Sequence, residues 1–171
     1  MIPFSATDDG LVEAEFENEE VDLLVTLASQ VGGLLQGVAA PSDDDPLPGL
    51  VIGGSETLPD DAALARLLPN AYAEAEASAE FRRLTERGLA GRKRANAQVI
   101  VDSASPQTRL DASAALAWMR SLTDMRLVIA ARLGIEDDES EVEPTDESEA
   151  MLAVYDWLGG IQDSLVRAVD Q

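Results

Sequence analysis

The sequence predicts a mainly α fold, a bundle of four long helices and one short helix with a small N-terminal β-hairpin, on three observations. Apolar residues fill 46% of the 171 positions but aromatics only 4%, so the core must be built from Leu, Val, Ala and Ile, a composition that favours helices over a sandwich or barrel. Four long stretches repeat apolar residues at spacings of three and four, the helical period. Between them lie clusters of Pro, Gly and Asp that suit turns rather than regular structure. The length fits one domain with a sizeable core, residues 1–171.

Ile2–Phe4 and Leu11–Phe16 flank Thr7-Asp8-Asp9-Gly10, and a Gly after two Asp makes a good turn. A hairpin is expected, with Phe4, Val12 and Phe16 closing over the core. Asn18 is the expected N-cap of a helix over about 19–37, and Glu19, Glu20 and Asp22 suit the positive end of its dipole. Along it Val21, Leu24, Ala28, Val31, Leu35 and Val38 form a stripe, widened by Leu23, Leu27 and Leu34. This is read as a core face, with a dimer seam as the alternative. Residues 41–57 hold three Pro and three Gly around Asp43-Asp44-Asp45 and are expected to be a partly mobile loop. Gly53-Gly54-Ser55 is not a phosphate loop, because no Lys follows and its surroundings are acidic. A short helix over 60–68 is capped by Asp60 or Asp61 and stopped by Pro69.

The third stretch, about 76–101, carries Phe81, Leu84, Gly88, Gly91, Ala95 and Val99 on the side expected to face inward. Its glycines suit either close approach of another helix or a break near residue 88. Arg82, Arg83, Arg87, Lys93 and Arg94 are expected on the opposite side, with Arg92 at the edge, as the one basic patch. Ser103–Gln107, with Pro106, is read as a connection. The following helix, about 111–133, is the expected centre of the fold and about 35 Å long. Ala115, Met119, Leu122, Ile129 and Leu133 share an arc with Trp118 and Met125 on its edges, while Arg120 and Asp124 fall opposite. Gly134 is the expected C-terminal cap. Nine acids within Glu136–Glu149 predict a solvated, mobile loop. Asp146 with Glu149 resembles a capping box for a last helix over about 147–169, with Met151, Tyr155, Leu158, Gln162, Leu165 and Val169 inward.

With no Cys and no His, thiolate nucleophiles, disulfides, imidazole bases and ordinary zinc sites are absent, which removes most hydrolase and metalloenzyme mechanisms. No cofactor is expected. No apolar run approaches the 18 residues of a membrane span, and Met1-Ile2-Pro3-Phe4-Ser5 lacks the layout of a signal peptide, so a cytoplasmic location is expected. The net charge of −21 is segregated. Residues 1–80 set 17 acids against Arg66, residues 81–134 set 10 cations against Glu86, Asp102, Asp111 and Asp124, and residues 135–171 set 12 acids against Arg167. The simplest reading is that the positive middle pairs with acidic neighbours inside the chain.

Arg126 lands inside the apolar arc of its helix, and Gln162 occupies the corresponding place on the last one. A buried guanidinium without partners costs several kcal/mol. Arg126, Tyr155 and Gln162 are therefore read as a structural polar network or as a site for a small anionic ligand. The basic face of Arg82, Arg83, Arg87, Arg92, Lys93 and Arg94 is read as intramolecular or solvated, or as a surface for an acidic protein partner. DNA contact is disfavoured by the −21 field. Carboxylate pairs are too numerous among 33 acids to be informative.

Several segments together resemble an actinobacterial family, domain of unknown function 2017: Leu64-Ala65-Arg66-Leu67-Leu68-Pro69-Asn70-Ala71-Tyr72, Glu80-Phe81-Arg82-Arg83-Leu84 through Lys93-Arg94, Trp118 to Asp124-Met125-Arg126-Leu127, Leu133-Gly134-Ile135 and Tyr155-Asp156-Trp157-Leu158. The resemblance implies a regulatory role, since a branch of that family is regarded as an oxidation-sensing transcriptional regulator acting with an alternative sigma factor through a cysteine pair. A chain without Cys cannot share the thiol switch, so what carries over is a helical protein that works through contacts. The expected function is a non-enzymatic interaction module in transcription or stress regulation, with a protein partner such as a sigma factor, and with a homodimer as one arrangement. The alternatives are a ligand-binding or enzymatic domain centred on Arg126, and weak DNA contact through 82–94.

Overall fold

The computed structural model describes residues 1–39, 53–137, 140 and 142–171. The loop expected over 41–57 therefore lies largely outside the described residues, as do three positions of the acidic loop 136–149. In chain order the elements are β1 (Ile2–Ala6), β2 (Val12–Glu15), α1 (Asn18–Ala39), α2 (Ala62–Leu67), α3 (Ala75–Ser103), β3 (Gln107–Leu110), α4 (Ala112–Arg132) and α5 (Asp146–Val169). The mainly α fold with an N-terminal hairpin is thus observed.

Gly10, at φ +79°, closes the β1–β2 turn. The antiparallel hairpin gains a third strand, because β3 pairs with β2 in the register Val12↔Leu110 to Glu15↔Gln107. Residues 104–106 are the expected connection, but it is bounded by Ser103 in α3 and leads at Gln107 into a strand that the sequence reading did not include. The alternation in β3, with Thr108 and Leu110 buried between exposed neighbours, is a strand pattern too short to stand out from sequence. One face of the sheet covers the core, where Phe4 and Phe16 pack on Trp118 with ring centroids 5.7 and 6.2 Å away.

α4 is the centre of the bundle, with α2, α3 and α5 packed on it and α1 packed chiefly on α3. Ala115, Trp118, Leu122, Met125 and Ile129 are buried as expected; of the two residues expected to face away, Arg120 is exposed but Asp124 is only 2% exposed. α3 packs over that part of α4, so the buried charge must find a partner. Asp111 caps α4 by accepting from the Ala114 N–H, and Gly134 takes φ +71° just after its end. Asp61 caps α2. The cap of α5 is Thr145, whose hydroxyl accepts from the Ser148 N–H while Ser148 accepts from Thr145. The capping box is real but lies one residue earlier than expected, and Ser148 replaces Glu149 in it. Similarly, the Glu20 carboxylate accepts from the Glu17 N–H at the start of α1, so this entry too is one residue earlier than Asn18.

α3 runs unbroken through Gly88 and Gly91, and a Cβ at Gly91 would meet nothing within 4 Å. Neither close helix approach at Gly91 nor a break explains it. The expected inward face is also corrected. Phe81 and Leu84 are exposed, whereas Ser78, Arg82, Glu86, Ala90, Ala97 and Ile100 are buried. The inner stripe is turned because two opposite charges on it satisfy each other, which apolar periodicity does not register. On α5, Val169 is exposed and Ile161 and Ala168 are buried instead.

On α1, Leu24, Ala28, Val31 and Leu35 are buried within this one chain, as a core face requires. Leu23, Leu27 and Leu34 are only half buried. With a single charge after its first turn, α1 is long and apolar enough by composition to cross a membrane, the one such helix among the described residues. That corrects the expectation that no segment reaches this threshold. Its buried face, however, belongs to the molecule's own core.

Candidate functional site

The basic face expected at 82–94 is not one surface. Arg82 and Glu86, each 5% exposed, form an ion pair one turn apart on α3. Arg82 also donates to the Leu68 carbonyl (2.8 Å) and Asn70 (3.1 Å), and Glu86 accepts from the Ser55 N–H (2.7 Å). The pair therefore ties the chain around 54–55 and 68–70 to α3. The fit at Gly54 is tight: a Cβ there would clash with the Arg82 carbonyl oxygen. Arg87 is also drawn in, its N–H donating to the Gly53 carbonyl. Lys93 pairs with buried Asp124 at 2.5 Å. Only Arg83, Arg92 and Arg94 of the six expected surface cations are exposed. The sequence reading missed Glu86 and Asp124 as the partners, although each is an acid in an otherwise basic stretch.

Elsewhere the positive middle does meet acidic neighbours, with Arg109 2.8 Å from Asp9 and Arg132 2.9 Å from Asp61. The Leu64 N–H, then Arg132, holds the Asp61 carboxyl below its ordinary value. Burial pushes Asp124 above its ordinary 3.8, against the opposing hydrogen bond and charge of Lys93. The folded chain therefore holds the Asp124 proton more tightly than the unfolded chain does. Ionised Asp124 subtracts from stability as pH rises above 3.8 and through the raised pKa. Asp124→Asn removes that term, and Lys93, 20% exposed, can turn to water. In urea titrations between pH 4 and 7, the unfolding free energy of variant minus parent is expected to rise with pH. A difference that is flat or falls contradicts this assignment.

Arg126, Tyr155 and Gln162 do come together. The Arg126 guanidinium carbon sits 4.4 Å above the Tyr155 ring centroid, and Arg126 Nη1 donates to Gln162 Oε1 at 3.2 Å. Gln162 in turn donates to the Met119 carbonyl and Thr123 hydroxyl. Gly159 opposite has just enough room, since a Cβ there would lie 3.5 Å from the guanidinium. Among the described residues no carboxylate lies within ion-pair distance of Arg126, and its buried Nε has no hydrogen-bond partner. With no counter-charge to orphan, Arg126→Met is expected to cost no more than about 1 kcal/mol, the scale of a half-exposed cation–π contact. A loss of several kcal/mol in a urea titration would show that this arginine neutralises a buried charge.

The feature that sequence reasoning did not assemble is a groove of about 640 Å³ between α1, α4 and α5. Leu23, Leu27 and Leu34 form one wall, Met125 and Val128 the floor, and Met151 and Val154 the other wall. Arg126, Tyr155 and Gln162 are not among its lining residues. Of its charged lining residues, Arg132 is already held by Asp61, and Glu147 lies on the first turn of α5. The available signal was the stripe on α1, broader than four buried positions need.

A small helical bundle capped by a three-stranded sheet, with an open apolar groove, is thus the class defined by the geometry. The chain belongs to the family described as Domain of unknown function (DUF2017), whose model matches residues 1–169. Comparison with curated proteins and with solved structures gives no match.

Proposed function

We propose that this chain is a non-enzymatic regulatory module that works in transcription or the stress response by contact with another protein, a sigma factor being the partner class the family resemblance points to. The observation that carries the reading is the groove. Three helices of the chain leave an apolar trench open beside the core they share. Contiguous apolar surface of this kind marks an interaction site more often than a structural accident. The absence of Cys and His supports contact over chemistry.

The test is photo-cross-linking in cells, with a photoreactive residue at Leu34 in the groove and, as control, at exposed Arg92 on α3. The expected result is a component of the transcription machinery captured from Leu34 and not from Arg92. Capture of no protein, or the same proteins from both positions, overturns the reading.

A second reading is favoured by one observation, the stacked Arg126 without a carboxylate. It would hold a small anion beside Tyr155 and Gln162. Isothermal titration with inorganic phosphate and with a dicarboxylate decides it, heat that vanishes in Arg126→Met supporting the site and no heat removing it.

A further inference from the structure

Resting on the interaction reading above, we infer that the occupant of the α1/α4/α5 groove is a cationic amphipathic helix of another protein. Four observations converge on that chemistry. First, the walls and floor are all helices. Their backbone N–H and C=O groups are already paired within each helix, so an extended segment laid in the trench would find no backbone partners. A helix arrives with its own backbone satisfied and offers only side chains, which is what apolar walls can accept.

Second, the dimensions fit. From Leu23 to Leu34 the α1 wall spans about 16 Å, or three turns, enough for apolar anchors at i, i+4, i+7 and i+11 of an incoming helix. Gly33 lines the same wall, and a Cβ there would meet nothing within 4 Å. Among the described residues no packing needs this mid-helix glycine, which leaves space free for an occupant.

Third, the described charges around the trench are mostly acidic. Glu147 lines it, and exposed Asp146 and Glu149 share its turn of α5. Glu19 stands one turn before Leu23 on the same stripe of α1. The lining cation, Arg132, is engaged by Asp61. Lysines or arginines flanking an apolar stripe complement this rim, and the overall −21 draws such a partner in.

Fourth, the same charges count against the other occupants. A second copy brings another −21 and its own Glu19 to the seam. A small amphiphile with an anionic head meets more acids than cations among the described residues there, and the lining cation already pairs with Asp61.

The probes are three fluorescent 16-residue peptides titrated by anisotropy against the full chain at 0.15 M salt: an amphipathic Leu/Lys helix, the same helix with Glu for Lys, and a scramble of the Leu/Lys composition. The expected result is saturable binding of the Leu/Lys helix, at least tenfold tighter than the scramble, with none for the Leu/Glu helix. Gly33→Leu is expected to weaken it at least tenfold by filling the trench, at unchanged melting temperature because the site is open. Glu147→Lys is expected to weaken it about threefold at 0.15 M salt, and by less as salt is raised. Equal binding of helix and scramble, equal binding of the Leu/Glu helix, or full binding by Gly33→Leu overturns the inference. So does a dimer in sedimentation that Gly33→Leu dissociates, since the groove would then hold a second copy. Capture from Leu34 in cells without Leu/Lys binding would leave the interaction reading standing and remove only the cationic helix.

Discussion

Trp118→Ala is expected to lower the unfolding free energy by about 3–5 kcal/mol, the range for removing a fully buried aromatic. For a chain of this length that corresponds to a melting temperature about 10 °C lower. The size follows from position. Trp118 is 0% exposed on the central helix, edge-on to Phe4 and stacked with Phe16, and its indole N–H donates to Ser103 at 2.8 Å. One side chain thus joins the hairpin, the end of α3 and α4. Chain neighbours cannot collapse into the space, because the sheet is held by its own ladder. Trp118→Phe keeps most of the apolar contact and loses the hydrogen bond, so it is expected to cost less than half as much. Equilibrium urea unfolding followed by circular dichroism reads both. A cost below about 1.5 kcal/mol for the alanine variant would mean that α4 is not the element the others pack around.

Arg82→Met carries the second large effect, about 3–5 kcal/mol, the cost of leaving one member of a buried ion pair without its partner. Glu86 then keeps the Ser55 N–H but faces no cation, while the Leu68 carbonyl loses its donor. The double variant Arg82→Met with Glu86→Gln removes the stranded charge and retains an acceptor for Ser55. It is expected to recover more than half of the loss, because replacing a buried pair is far cheaper than breaking one. The same urea titrations provide the cycle. A near-zero effect of Arg82→Met would place this guanidinium in solvent, as part of the basic surface that the helical pattern alone suggested.

That contrast shows what the sequence makes legible. Apolar period alone located the four long helices and the short one, because leucines and alanines at helical spacing report a buried stripe directly. Gly134 was legible as a cap, and the N-cap of α2 to within Asp60 or Asp61, because their backbone roles are local. Three things were not legible. β3 has four residues and acquires its identity from β2, a partner about 95 positions earlier. The inner face of α3 includes Arg82 and Glu86, whose burial depends on mutual neutralisation rather than hydropathy. Asp124 is buried because a neighbouring helix supplies Lys93. Of the candidate sites, the Arg126–Tyr155–Gln162 cluster was legible since all three share apolar helical faces. The groove was not, because three helices from distant parts of the chain form it and only its α1 wall left a trace.

The central proposal is that this chain acts through contacts made at the groove. Its most direct test is partner co-purification with Leu34→Lys, run beside a melting curve of the same preparation. Leu34 lines the groove half exposed, so the melting temperature is expected to stay within about 3 °C of the parent, the shift for roughly 1 kcal/mol at this length. The captured partner is expected to be lost. A folded Leu34→Lys chain that retains its partner in full would contradict the account.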